Sequence, residues 1–122
     1  MRNALLLILF VIIGLPSFSQ KKVLIEDKDL IIERAKAELD SAMAAPEGSI
    51  YLWTQKNPIH GEYIFDISIW EKGTVTSIYV VGNNGGTVDM QNRFRSFLME
   101  FQFNFKMPKG KSYKFRHAFV FN

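Results

Sequence analysis

The chain closes on a nine-residue segment in which residue types alternate, and this pattern constrains the fold more than any other part of the sequence. One set of positions is mainly aromatic: Tyr113, Phe115, His117, Phe119 and Phe121. The other set is basic or aliphatic: Lys114, Arg116, Ala118 and Val120. Because successive side chains of a β-strand point to opposite faces, the segment is predicted to be a half-buried strand.

A second alternating segment, in the middle of the chain, predicts a hairpin. Gly61 precedes it, and its apolar positions are Tyr63, Phe65, Ile67 and Ile69. Residues 71–73 form a turn signal that ends in a glycine, which can take a positive φ. Residues 74–81 are rich in β-branched side chains and provide the second arm.

The segment 27–45 is predicted to be a helix. Asp27 or Asp29 can cap its first turn, and Pro46 and Gly48 end it. Its apolar positions follow the spacing of a helical face. They are Ile32, Ala35, Leu39, Ala42 and Met43.

A further helix is predicted after the glycine-rich segment 82–86, with Thr87 or Asp89 at its start. Its apolar stripe consists of Met90, Phe94, Phe97, Leu98 and Phe101. The intervening segment 49–60 fits either a short strand or a packed turn around 50–53. The order of elements predicts an α+β fold. It has a small antiparallel β-sheet of about three strands in a β-β-α-β core over 61–122, a helix packed on one face, and an extra N-terminal helix.

Residues 1–19 have the pattern of a secretory signal peptide. Arg2 precedes a twelve-residue apolar run over 4–15, and Ser17 and Ser19 occupy the −3 and −1 positions of a cut before Gln20. A membrane-spanning helix needs about 20 apolar residues, so an uncleaved anchor is the weaker alternative. We expect a single domain over 20–122, periplasmic or secreted, that does not span the membrane after cleavage.

Few residues of the chain suit catalysis. There is no cysteine, and the two histidines, His60 and His117, have no carboxylate at metal-ligand spacing. His117 is interpreted as a core-edge residue, with proton transfer or metal binding as the alternative. Asp66 lies mid-strand, and nothing in the sequence indicates that it is desolvated. We therefore predict no enzyme, and no catalytic, cofactor-binding or metal-binding residues.

Charge is unevenly distributed along the chain. Residues 91–122 contain seven basic residues against one acidic residue, although the whole chain has a net charge of only +3. A basic, aromatic segment could bind single-stranded nucleic acid, but its aromatic residues occupy core positions and a signal peptide directs the chain out of the cytoplasm. The basic side chains are interpreted as the solvated face of a sheet edge, and no nucleic-acid partner is predicted.

The segment 61–122 resembles the C-terminal domain of TonB, the energy-transducing protein of Gram-negative bacteria. The resemblance lies in Gly61-Glu-Tyr-Ile-Phe-Asp-Ile-Ser-Ile with Gly73-Thr-Val-Thr, and in Phe103-Asn-Phe-Lys-Met-Pro-Lys-Gly-Lys before the last strand. The cleavage region and the abundance of phenylalanine are also similar to small secreted proteins of the Bacteroidetes. The chain lacks the long proline-rich linker of TonB, so the motor-coupling function is not expected to transfer.

The resemblance implies a peptide-binding edge strand over 113–121, since an exposed sheet edge in this family accepts an extended peptide by β-augmentation. The predicted partner is a protein or peptide, either a segment of an outer-membrane receptor or a second copy of the chain. Lys114 and Arg116 would favour acidic partners. The alternatives are a small extracytoplasmic enzyme that uses His117 or Asp66, and a secreted inhibitor or assembly protein that uses the helix over 29–44.

Overall fold

The computed structural model describes residues 22–122, so the predicted signal peptide lies outside the described residues. Within them the chain forms five strands and three helices. In chain order they are β1 (Val23–Leu24), α1 (Lys28–Met43), α2 (Ser49–Lys56), β2 (Gly61–Trp70), β3 (Thr74–Asn84), α3 (Val88–Met99), β4 (Phe105–Lys106) and β5 (Ser112–Phe121).

The main sheet is antiparallel and has the strand order β3-β2-β5. Its central strand is β2, in which buried and half-buried residues alternate. β2 pairs with β5 from Gly61 opposite Phe121 to Trp70 opposite Ser112. The predicted hairpin is present, and Gly73 in its turn has a φ of 76°. A Cβ at Gly73 would also lie 2.6 Å from the carbonyl oxygen of Phe105, so glycine is required there on two grounds.

Side-chain oxygens cap the first and third helices, as the sequence indicated. Asp27 accepts a hydrogen bond from the amide of Leu30 at 3.0 Å, and Thr87 accepts one from the amide of Met90 at 3.0 Å. The buried stripe of α1 is rotated slightly from the predicted one. It consists of Ile31, Ala35, Leu39 and Ala42, whereas Ile32 and Met43 are half-buried.

The segment left open between strand and turn is helical. α2 runs over Ser49–Lys56 and buries Ile50 completely. The ring of Trp53, one turn later, stacks on Phe97 of α3 at 5.0 Å between centroids. Residues three apart lie on one face of a helix but on opposite faces of a strand, so the shared packing of Ile50 and Trp53 suits the helix.

A two-stranded parallel pair lies at one end of the molecule. Val23 of β1 pairs with Phe105 of β4, and Leu24 pairs with Lys106. Each strand has only two residues, too few for an alternation to be recognisable in the sequence.

The core lies on one face of the main sheet, under all three helices, and aromatic side chains dominate it. Phe94 of α3 meets Phe119 and Phe121 of β5 edge-to-face, with both ring pairs 5.0 Å apart, and Tyr63 of β2 at 5.9 Å. The predicted α+β class and the packing of helices on one face of a three-stranded antiparallel sheet are therefore confirmed. Within residues 22–122 no helix combines the length and apolar character needed to cross a membrane.

Candidate functional site at the free edge of the sheet

β5 forms one border of the main sheet, and no strand of the described chain pairs with its outer side. It is ten residues long, and its register with β2 contains no irregularity. Such an edge presents a row of main-chain N–H and C=O groups that another strand can pair with. The segment 113–121, predicted as an edge strand, lies within it.

The opposite border of the sheet is less suited to accept a strand. The pairing of β3 with β2 shifts register twice, between Ile64 and Phe65 and between Ser68 and Ile69. Thr74 at the start of β3 also makes an isolated bridge to Gln102. Bulges twist an edge away from regular pairing, so β5 is the more regular of the two borders.

The outward-facing residues of β5 form a mixed surface that is basic at one end and aliphatic at the other. Lys114, Arg116, Ala118 and Val120 are all exposed. Ala118 lies opposite Ile64 and Lys114 lies opposite Ser68 of β2. In the described residues Lys114 has no carboxylate within 4.0 Å, so its charge is available to a partner.

Arg116 is already paired within the sheet. Its Nε donates to Oδ1 of Asp66 at 2.9 Å, and its Nη2 donates to Oδ2 of the same carboxylate at 3.3 Å. The hydrogen bonds from Arg116 lower the pKa of Asp66 below its ordinary value, so the carboxylate stays ionised and is a poor general acid. Asp66 therefore neutralises part of the charge of Arg116, and the preference of Lys114 and Arg116 for acidic partners stays a prediction.

His117 lies on the helix-covered face of β5, where α1 crosses the strand. Its Nε2 is 3.2 Å from Oδ1 of Asp40, its side chain is 9% exposed, and Phe119 packs edge-on against its ring at 4.8 Å. Burial is the main cause that lowers the pKa of His117, and Asp40 opposes the shift. Asp40 and His117 are far apart in the sequence, so no local pattern could predict that they are in contact. Asp40 and the ring of Phe119 lie against the imidazole, which is mostly covered.

The remaining inward residues of the predicted edge strand belong to the core or its rim. Phe115 and Phe119 are buried, while Tyr113 and Phe121 are half-buried. Lys28 of α1 lies over the ring of Tyr113, 5.9 Å from its centroid. α1 therefore accompanies β5 on its inner side from Tyr113 to His117, and a strand added to β5 would lie beside this helix.

An open groove continues the edge beyond the C-terminal end of β5. It has a volume of about 430 Å³ and lies between the end of β5, the end of α1 and α2. Its walls combine apolar and polar side chains: Met43, Tyr51, Ile59, Val120 and Phe121 together with Thr54, Gln55 and Asn122. Sequence reasoning missed this groove because α2 was not recognised as a helix. A side chain of a bound peptide could enter it.

The glycine-rich segment 82–86 is held by internal hydrogen bonds. In the glycine-rich segment, the side-chain oxygen of Asn83 accepts a hydrogen bond from the amide of Gly86 at 3.0 Å, and its nitrogen donates to Gln91. Within the part of the chain that the structure describes, no three His, Cys, Asp or Glu side chains lie close enough together to hold a metal ion.

Comparisons with known proteins give one structural similarity. No family model matches the chain, and no curated protein matches it. The solution structure of the TonB C-terminal domain from Helicobacter pylori is similar, with a TM-score of 0.44 and 20% sequence identity over 79% of this chain and 85% of that one. The resemblance indicated by the sequence motifs is thus confirmed as a similarity over a segment.

Proposed function

We propose that the protein is a non-catalytic binding module that receives an extended peptide, or β5 of a second copy, along the free edge of β5. In this proposal the domain over 20–122 acts outside the cytoplasm, as a periplasmic or secreted protein that takes part in outer-membrane transport. The observation that supports it most is a regular ten-residue border strand without a pairing partner in the described chain.

Main-chain hydrogen bonds to β5 would supply affinity, and side chains would select the register. Lys114 favours an acidic residue on the outward side of the partner strand, because it has no carboxylate of its own among residues 22–122. Ala118 and Val120 favour apolar residues further along the same side. The groove beside Phe121 has polar side chains in its walls, Thr54, Gln55 and Asn122, and therefore favours a polar side chain where the partner strand ends.

The helix-based alternative, an inhibitor or assembly protein that binds through α1, has less surface to use. The apolar face of α1 is buried in the core through Ile31, Ala35 and Leu39. Only its polar flank and the exposed Leu30 remain for a partner. Deleting this helix would therefore remove core side chains, and point changes on the exposed flank are the appropriate test.

The decisive experiment is a titration of the isotope-labelled protein with extended acidic-apolar peptides, followed by amide chemical shifts. We expect the amides over 113–121 to shift at millimolar peptide and those over 74–81 of β3 to stay unchanged. Lys114→Glu should weaken binding of acidic peptides, whereas Lys56→Glu, an exposed change on α2, should not.

Two results separate the possible partners. Shifts over 113–121 that depend on protein concentration alone, with a dimer in sedimentation, identify a second copy as the partner. If neither peptide nor protein concentration moves these amides, the edge-binding function is wrong.

A further inference from the structure

One end of the main sheet carries a cluster of lysines that edge binding does not explain. This basic end consists of turn 71–73, loop 107–111 and the β1–β4 pair, with Lys22 beside it. Hydrogen bonds to main-chain carbonyls hold the parts together. The amide of Met107 donates to the carbonyl of Glu71 at 2.6 Å, and the ammonium of Lys22 donates to the carbonyl of Lys72 at 2.7 Å.

The positive charge of the basic end is not balanced within the described residues. Its lysines are Lys22, Lys72, Lys106, Lys109 and Lys111. Every ion pair in residues 22–122 uses an arginine or His117 as the cation, so none of these lysines has a carboxylate within 4.0 Å. Glu71 is the one acidic residue among those lining the groove at this end. Its carboxylate accepts a hydrogen bond from the amide of Gly110 at 2.6 Å.

Apolar side chains are exposed at this end of the sheet: the aliphatic side chains of β1 lie beside the lysines, and a tryptophan lies on the sheet face that the helices leave open. Val23 is 59% exposed, Leu24 47% and Trp70, the last residue of β2, 39%. A groove of about 290 Å³ has Leu24, Met107 and Pro108 in its walls, together with Lys72, Lys106 and Lys109. An apolar groove rimmed by charged side chains is typical of an interaction site, so the basic end has the composition of a docking surface.

We propose that the basic end docks the protein on an anionic lipid surface. Lysines attract anionic headgroups, while exposed aliphatic and tryptophan side chains favour the boundary between headgroups and acyl chains. Single-stranded nucleic acid fits less well, because it is bound on several aromatic faces, whereas Phe103, Phe105 and Phe115 are buried and leave Trp70 as the exposed aromatic side chain at this end. The surface lies away from the groove at the C-terminal end of β5, so lipid docking goes beyond the proposed peptide binding.

Vesicle flotation of the purified protein tests the proposal. Neutral phosphatidylcholine vesicles are compared with vesicles that also contain phosphatidylglycerol. The measured quantity is the difference in bound protein between the two vesicle types. The apolar segment 4–15 would increase binding to both types equally, so it does not affect this difference. We expect stronger partition to the anionic vesicles and loss of the difference at high salt.

Variants locate the contact. A lysine near an anionic surface contributes about five-fold to partition, so Lys72→Gln and Lys109→Gln should each reduce the anionic preference by about that factor. Lys36→Gln and Lys56→Gln, exposed changes on α1 and α2, are matched controls that should leave it unchanged. Brominated lipids should quench the tryptophan fluorescence of the wild type, and Trp70→Phe should abolish the quenching.

Three outcomes overturn the proposal. The first is equal binding to both vesicle types, and the second is an equal loss in the matched control variants. The third is binding of dextran sulfate as tight as binding of anionic vesicles, without lipid quenching of Trp70. That result would make the basic end a general site for soluble polyanions.

Discussion

At the scale of single residues, the molecule contains two polar contacts of different kinds on opposite faces of β5. Asp66 and Arg116 form an exposed bidentate pair, and such surface pairs contribute little to stability. His117 is instead held in the protein interior beside Asp40, where burial opposes its protonation. The second contact therefore has the larger consequence for how the fold responds to pH.

The lowered pKa of His117 predicts that stability falls as the solution becomes acidic. The unfolded chain binds a proton at this residue near pH 6.5, its ordinary value, whereas the folded chain resists it. The stabilisation is thus complete above about pH 6.5 and decreases as pH falls below that value, until the folded pKa is passed. Lys36, also on α1, lowers this pKa further, and Asp40 limits the shift.

Urea unfolding at pH 7.5 and at pH 5.5 measures this effect. We expect wild type to be less stable at the lower pH, and His117→Gln to remove most of the difference. His60→Gln, at an exposed loop position, should behave like wild type. If the difference in stability between the two pH values persists in His117→Gln and disappears in His60→Gln, His60 rather than His117 causes the pH dependence, and the prediction is wrong.

At the scale of elements, a cap defines the start of α3, the helix that packs Phe94 on the sheet. The hydroxyl of Thr87 accepts the amide hydrogen of Met90. Removal of such a cap costs about 1 kcal/mol, so Thr87→Ala should lower the free energy of unfolding by that amount. It should also speed amide exchange in the first turn of α3.

Thr87→Ser serves as the control, because serine caps a helix at least as well as threonine. It should restore wild-type stability and exchange. If Thr87→Ala and Thr87→Ser lose stability equally, the methyl group rather than the hydroxyl is responsible.

The elements also show which information is local to the sequence. The hairpin, the caps and β5 were predictable, because alternation and capping residues lie within a few positions of each other. α2 was not, since Ile50 and Trp53 suit a strand as well as a helix until the packing against α3 is known. The candidate site is also only partly predictable from the sequence. The alternation of 113–121 predicts a strand, but the position of that strand at the border of the sheet depends on the strand order β3-β2-β5. The Asp40 contact of His117 and the groove beside Phe121 are likewise tertiary.

At the scale of the whole molecule, Phe94 joins the layers of the fold. Its ring contacts Trp53 of α2 and the inner face of the sheet through Tyr63, Phe65 and Phe119. The chain has no cysteine, so packing must supply the stability that disulfides give to many small secreted domains. A domain of this size has a total stability of roughly 5–15 kcal/mol.

Phe94→Ala should therefore cost a large share of that stability. A buried phenylalanine replaced by alanine costs about 3–5 kcal/mol, because apolar contacts are lost and a cavity remains. Phe94→Leu keeps most of the volume and should cost less than half as much. Chemical denaturation monitored by circular dichroism and by tryptophan fluorescence measures both. Because Trp53 of α2 packs on Phe94, which also contacts the sheet, the helical layer and the sheet should unfold together, and the two signals should report one transition in wild type. Trp70 of β2 contributes to the fluorescence as well, so Trp70→Phe isolates the signal of Trp53. A loss below about 1 kcal/mol in Phe94→Ala would contradict the central role of this residue. Separate transitions in wild type would show that the helical layer unfolds independently of the sheet.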